Sequence, residues 1–184
     1  MTDRTILWRR VDQPGHESAR FLLNGNGGSL SGAAVFRHDG QPCRLDYRIT
    51  CAANGSTTSV EVRGWVGIQS VDIELSVDDA SRWWMKGRQI SAVEGCLDVD
   101  LNFSPSTNLL PIRRLGLAQG ERANVRAAWL RFPSFSLELL DQVYNRLAES
   151  TYRYSSGSFS RELTVDEVGF VLTYPDLWEL EAVI

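Results

Sequence analysis

Asp98 and Asp100 stand two residues apart in CLDVDLNFSPSTNLLPIRRL, Cys96 to Leu115, a stretch that carries Arg113 and Arg114 near its end. Over residues 97–103 apolar and polar side chains alternate. In a strand, Leu97, Val99, Leu101 and Phe103 would face one way and Asp98, Asp100, Asn102 and Ser104 the other. Two carboxylates so placed have Cβ atoms roughly 6 to 7 Å apart. That spacing suits the acid and nucleophile of a glycosidase, or a pair of acceptors for sugar hydroxyls. The bland alternative, and the ordinary one for such residues, is the solvated outer face of an antiparallel sheet.

Beyond Phe103, Ser104-Pro105-Ser106-Thr107-Asn108 forms a proline-fixed bend whose hydroxyls and amide can hold the turn or pin a loop beside a ligand. Read as extended chain, Arg113 and Arg114 point to opposite sides, so one can face an interior. A buried guanidinium needs a carboxylate or phosphate partner, which Asp98 or Asp100 can supply internally. One left unpaired in a cavity suits an anionic headgroup.

The aromatic residues are the second constellation: Trp65, Trp83, Trp84, Trp129, Tyr152, Tyr154, Tyr174 and Trp178. Their flat apolar faces and polar edges fit sugar rings or the boundary between acyl chain and headgroup. Aromatic side chains also fill β cores, which is the competing reading. Tyr152 and Tyr154 share a strand face, whereas Trp83 and Trp84 must split across the sheet. The candidate ligand-binding set is Asp98, Asp100, Asn102, Asn108, Arg113, Arg114, Trp65, Trp84, Tyr152 and Tyr154.

Catalysis by a Ser-His-Asp or Cys-His arrangement needs an imidazole, and only His16 and His38 exist, both in turn-like sequence. No cluster has zinc-ligand spacing, and no cofactor motif is present. The glycine-rich NGNGGSLSG lacks the Lys-Ser/Thr of a phosphate loop and reads as a hairpin turn. Catalytic and metal-binding residues are therefore not assigned.

The elements that must position these residues are strands. In SVEVRGWVGIQSVDIELSVDD, Val60, Val62, Val66 and Ile68 share one parity, and after Gln69-Ser70 the set Val71, Ile73, Leu75, Val77 alternates with polar residues. Gly64 marks a bulge or bend. Further strands are expected in SARFLLN, GSLSGAAVFRH, PCRLDYRITCA, SRWWMKG, LDVDLNFS, NVRAAWLRF, STYRYSSG, SRELTVD and GFVLTYP. FSLELLDQVYNRLAES fits a helical stripe and a strand; the strand, with a break near Asp141, is preferred. Many short strands with Gly/Asn/Asp turns imply a mainly β protein whose antiparallel sheet curls, with little helix.

At 184 residues the chain can bury a substantial core as a single domain, 1–184. Nineteen Lys+Arg against 23 Asp+Glu give a net charge of -4, which disfavours nucleic acid as a partner. No apolar run suits a secretory leader or a spanning helix, so a cytoplasmic protein is expected. Cys43, Cys51 and Cys96 lack pairing patterns and read as reduced, buried thiols. Exposed strand edges make a homo-oligomer possible.

CLDVDLNFSPSTNLLPIRRL, YRYSS and LTVDEVGFVLTYPDLWE together resemble the bacterial family described as putative glycolipid-binding proteins. The likeness rests on Asp98, Asp100, the Phe103-to-Asn108 run, Pro111, Arg113-Arg114, Val165-Asp166, Gly169 and Tyr174-Pro175, and is weaker over the first 25 or so residues. It implies a spiral β-roll akin to the half-barrels of bacterial lipoprotein carriers, with an interior open to a lipid-like ligand. It implies no catalytic residues.

Three functions fit. A binder of a glycolipid or other amphiphile would need a cavity, with apolar residues on the chain and the polar set on the headgroup. An enzyme on a related amphiphilic or aromatic metabolite would need a carboxylate with a raised pKa in that cavity. A structural module would fill its own core and pair Asp98, Asp100, Arg113 and Arg114 internally. Binding ranks first, because recognition groups are abundant and proton-transfer groups few.

Overall fold

Alternating runs stopped by tight turns produce two long meanders in the computed structural model, which describes residues 2–184. The first comprises β1 (Thr2–Arg10), β2 (Gly15–Asn24), β3 (Gly27–His38), β4 (Gln41–Cys51), β5 (Thr57–Val66), β6 (Gln69–Val77), β7 (Trp83–Met85) and β8 (Arg88–Gln89). After β9 (Asp98–Leu101), a 3-10 turn at Ser106–Asn108 leads into the short helix α1 (Leu109–Leu115). The second meander follows as β10 (Arg122–Arg131), β11 (Ser136–Ala148), β12 (Thr151–Ser156), β13 (Phe159–Val165), β14 (Val171–Tyr174) and β15 (Trp178–Val183).

All fifteen strands belong to one sheet, ordered β8 to β1, then β15 down to β9. The terminal strands β1 and β15 pair antiparallel and join the meanders. β9 and β10 pair in parallel, and the crossover that parallel pairing demands is α1. The sheet curls until its two edges, β8 and β9, lie within one connection of each other. Gly95 N donates to Ser81 O (2.9 Å) and Thr57 N to Leu97 O (2.8 Å), tying the segment before β9 to the β6–β7 turn and to the start of β5 without a closing ladder. The mainly β, curled antiparallel architecture expected from the strand pattern is thus the observed one.

Inward residues of both meanders fill the roll, with Trp8, Trp83, Tyr144, Phe170, Leu30, Leu45 and Ile49 among the fully buried side chains. Trp8 Nε1 donates to Val171 O (2.6 Å) and Trp83 Nε1 to Cys96 O (3.0 Å), so each buried indole keeps a partner. Trp83 is buried while Trp84 lies part-exposed on the other face, the split that adjacency requires. All three cysteines are free and buried.

Several expectations change. The β5–β6 turn falls at Gly67-Ile68, before Gln69, so Ile68 is fully exposed at its tip instead of facing the core. Gly64 marks no bulge, because the β4–β5 register runs unbroken through Leu45↔Gly64. It has φ +148°, and a Cβ there would collide with the Arg44 carbonyl, so the residue permits close strand approach. β11 passes Asp141 without a break. The two terminal strands, absent from the strand list, pair with each other and turn Ile6 and Trp8 of β1 and Trp178 of β15 inward. The largest change is α1 in place of extended chain. Pro111 sits in its first turn, where backbone N–H groups have no intrahelical acceptor and proline costs little.

Candidate functional site

The polar stretch that opened the sequence reading lies inside the roll, not on a solvated face. β9 is covered on both sides: Asp98, Val99 and Leu101 are buried and Asp100 is partly buried. Arg114 forks onto Asp98, with Nη2 at 2.6 Å from Oδ2 and Nε at 3.0 Å from Oδ1. Asp98 is 1 % exposed, and its desolvation pushes the carboxyl above the usual carboxylate range against the pull of Arg114. Asp100 has no cation; Gln142 Nε2 donates to its Oδ2 (2.7 Å) and approaches the Tyr154 hydroxyl (3.2 Å). Burial raises the Asp100 carboxyl to about 6. The two aspartates are held by different partners, and neither lines the clefts beside α1, so they are not brought to bear on one accessible point.

The turn after Phe103 folds back into the core. Ser104 Oγ donates to Glu17 Oε1 (2.5 Å), Tyr47 OH donates to the same oxygen (2.7 Å), and the Tyr47 and Ser106 hydroxyls meet at 2.6 Å. Glu17 is fully buried and its Oε2 has no partner. Burial pushes its carboxyl up to about 7, opposed by the hydrogen bonds from Ser104 and Tyr47 and by the charge of Arg10. Sequence reasoning missed Glu17. Its signal was the inward parity it shares with Ala19 and Phe21 on β2. Asn108 also acts within the fold, donating to Pro105 O (3.1 Å) and accepting from Tyr144 OH (2.9 Å), while Asn102 Oδ1 accepts from Phe132 N (3.2 Å).

Helix α1 stops one end of the roll and leaves two clefts beside it. The first is a slot of about 190 Å³ between α1 and the ends of β2, β3 and β4, with Phe21, Leu23, Leu109 and Leu110 as apolar walls and Arg113 and Arg114 along it. The second is an open groove of about 620 Å³ lined by Ile112, Arg146, Tyr152, Val165 and Val168. Arg113 borders both. Its Nη1 donates to Val168 O (2.9 Å) and its guanidinium carbon sits 4.9 Å from the Phe21 ring centroid. Among the described residues no carboxylate lies within ion-pair distance of it. Burial draws the Arg113 guanidinium below its ordinary value. Cys51 also borders the slot, and burial and the nearby Asp98 charge push its thiol up to about 12, which favours the protonated form.

The other aromatic candidates lie elsewhere. Trp84 borders an open groove of about 740 Å³ on the outer face of β5–β7 with Glu61, Asp72 and Glu74. Trp65 is 42 % exposed and carries the Arg44 guanidinium over its ring. Tyr154 is buried against Tyr144 and Tyr174. Of the ten candidates, Arg113, Arg114 and Tyr152 therefore line the two clefts beside α1.

A family model described as "Putative glycolipid-binding" matches residues 5–180. The chain belongs to that family. The family's curled sheet recurs in a crystal structure of a DUF1089 family protein from Pseudomonas aeruginosa. That protein is 34% identical and has a TM-score of 0.77; the match covers 89% of this chain and 91% of the other. A β-barrel-like protein of domain of unknown function DUF1849 from Brucella abortus shares the fold at a TM-score of 0.57 and 8% identity, over 100% of this chain and 97% of the other. No curated protein matches the chain. No helix is long and apolar enough to cross a membrane. Within the family's fold, the residues that carried the resemblance serve largely as internal supports: Ser104 holds Glu17, Ser106 meets the Tyr47 and Ser104 hydroxyls, Arg114 holds Asp98, and Asp166 Oδ1 accepts the backbone N–H groups of Val168, Gly169 and Phe170.

Proposed function

We propose that the protein binds a glycolipid or similar amphiphile at the α1 end of the roll, with the apolar portion in the slot. The observation that carries this reading is the slot itself, walled by Phe21, Leu23, Leu109 and Leu110 and bordered by a guanidinium that has no carboxylate partner. Such a combination of apolar wall and few placed polar groups is what small-molecule sites share. At about 190 Å³ the slot is below the usual range for a whole ligand, so it takes one end of an amphiphile and leaves the rest outside. Family membership supports the ligand class. The packed interior, with its Glu17–Tyr47–Ser104–Ser106 network, rules against a chain threaded through the roll.

Trp65, Trp84, Asn102 and Asn108 have no part in this reading, and Asp98, Asp100 and Tyr154 support the site from within. The test is native mass spectrometry with short-chain amphiphiles, comparing wild type with Ala52→Phe, which places a ring at the slot lining. Adducts on wild type that vanish with Ala52→Phe support the reading. Adducts that persist unchanged move the ligand elsewhere, and no adduct from any amphiphile removes it.

A further inference from the structure

Arg113 and Arg146 border the same open groove, and neither guanidinium is matched by a carboxylate within ion-pair distance among the described residues. Arg146 Nη1 donates to Leu117 O (2.7 Å) and Nη2 to Glu149 O (2.6 Å), with its guanidinium carbon 5.7 Å from the Tyr152 ring centroid. Arg113 is held by the Val168 carbonyl and the Phe21 ring. Main-chain carbonyls and rings fix the direction of a guanidinium but supply no paired counter-ion. The remaining arginine on α1, Arg114, is neutralised by Asp98.

Three acidic residues also line this groove, and the Asp166 charge acts on Arg113 from a distance, but none of them pairs with either cation. Asp166 spends Oδ1 on three backbone N–H groups and Oδ2 on Arg4 Nε (3.0 Å). Glu167 is exposed and lies 3.7 Å from Arg4, and Glu149 is an exposed rim residue bonded to Arg146 through its carbonyl alone. Most other arginines of the chain pair with a carboxylate, as Arg9, Arg20, Arg44, Arg63, Arg82 and Arg153 do.

We infer that the groove is an anion site: the amphiphile carries a phosphate, sulfate or carboxylate group that seats between Arg113 and Arg146, next to the apolar slot. This rests on the amphiphile reading and narrows it. Arg113 borders slot and groove alike, so an anionic group beside it joins a chain end in the slot to a polar remainder lying over Ile112, Tyr152 and Val168. Arg113 spends only Nη1 on a carbonyl, so its planar fork keeps donors for an oxyanion, while Arg146, whose three nitrogens each hold a main-chain carbonyl, adds its charge and its remaining N–H groups.

The test measures binding of octyl phosphate, octyl glucoside and inorganic phosphate by calorimetry to wild type, Arg113→Gln, Arg146→Gln and Arg113→Lys. Wild type is expected to prefer octyl phosphate over octyl glucoside by about tenfold or more, a preference that shrinks as salt rises. Each Gln variant should lose most of that preference, and Arg113→Lys, which keeps the charge, should retain part of it. A merely structural role for Arg113 would not move the ratio of the two affinities or its salt dependence. Equal binding of the two octyl compounds, or a ratio unchanged in both Gln variants, overturns the anion site while leaving the amphiphile reading intact. Inorganic phosphate binding as tightly as octyl phosphate keeps the anion site and overturns the chain in the slot. Binding of none of the three overturns both.

Discussion

The Ser104 hydroxyl donates to Glu17 Oε1 across 2.5 Å, joining β2 to the turn that introduces α1 from 87 residues away in sequence. Through this contact the position of α1, and so of the slot, depends on a buried carboxyl. Its environment has a measurable consequence. The Glu17 carboxyl is raised from 4.5 to about 7 in the folded protein, chiefly by burial. The folded state therefore holds this proton more tightly than the unfolded chain does. Its contribution is fully present below about pH 4.5 and is lost as pH rises through about 7, by on the order of 3 kcal/mol. Urea unfolding of wild type and Glu17→Gln at pH 5 and pH 8 checks this. Stability of wild type relative to the variant should fall between the two pH values, and a constant difference would contradict it.

Tyr47→Phe should extend the same effect. The Tyr47 hydroxyl donates to Glu17 Oε1, and its bond lowers a carboxyl that burial raises. Without it the carboxyl titrates at higher pH, and Ser106 also loses a partner. We expect a loss of about 1–2 kcal/mol, with the pH-dependent region displaced upward. The same urea series on this variant provides the measurement, and an unmoved or lowered region would count against the network.

Removing one member of the Asp98–Arg114 pair should be far worse than removing both. Arg114→Met leaves a carboxylate that is 1 % exposed without its counter-charge, at a cost of about 3–5 kcal/mol. Asp98→Asn combined with Arg114→Met should cost less than the sum of the single changes. A double-mutant cycle in urea reads the coupling directly, and strict additivity would mean that the pair does not act as a unit.

Gly64→Ala tests the close approach of β4 and β5. The added Cβ meets the Arg44 carbonyl at a backbone φ of +148°, so relief requires the strands to separate. A loss of more than about 2 kcal/mol is expected. Thermal unfolding gives the answer, and an unchanged midpoint would show that the register tolerates a side chain there.

Much of the fold was legible in the chain because strand periodicity is a local property. Val60, Val62, Ile73 and Leu75 announce their buried face by spacing alone, and Asp39-Gly40 supplies the two positive-φ residues, at 48° and 78°, that a tight hairpin needs. Adjacent Trp83 and Trp84 had to divide between the two faces for the same geometric reason. Local signals were weakest where the structure is decided by distant partners. α1 is seven residues long with a proline in it, too short to show a helical stripe, and it holds because Leu109, Leu110 and Ile112 find the roll's open end.

What the sequence by itself determined is a curled antiparallel sheet of short alternating strands, a reduced thiol complement, and the set of polar residues available for recognition. Only the tertiary structure decided the direction in which that set faces. A strand shows alternation whether its polar side meets water or the core, and the covering of β9 on both sides turned an apparent surface into an interior. Pairing was decided in the same way. Arg113 and Arg114 are neighbours with identical chemistry, yet on a helix they point about 100° apart, and the fold sets Asp98 before one and a cleft before the other. Charge compensation across a roll is a long-range property, so the free guanidinium at the slot became visible only once the chain was folded.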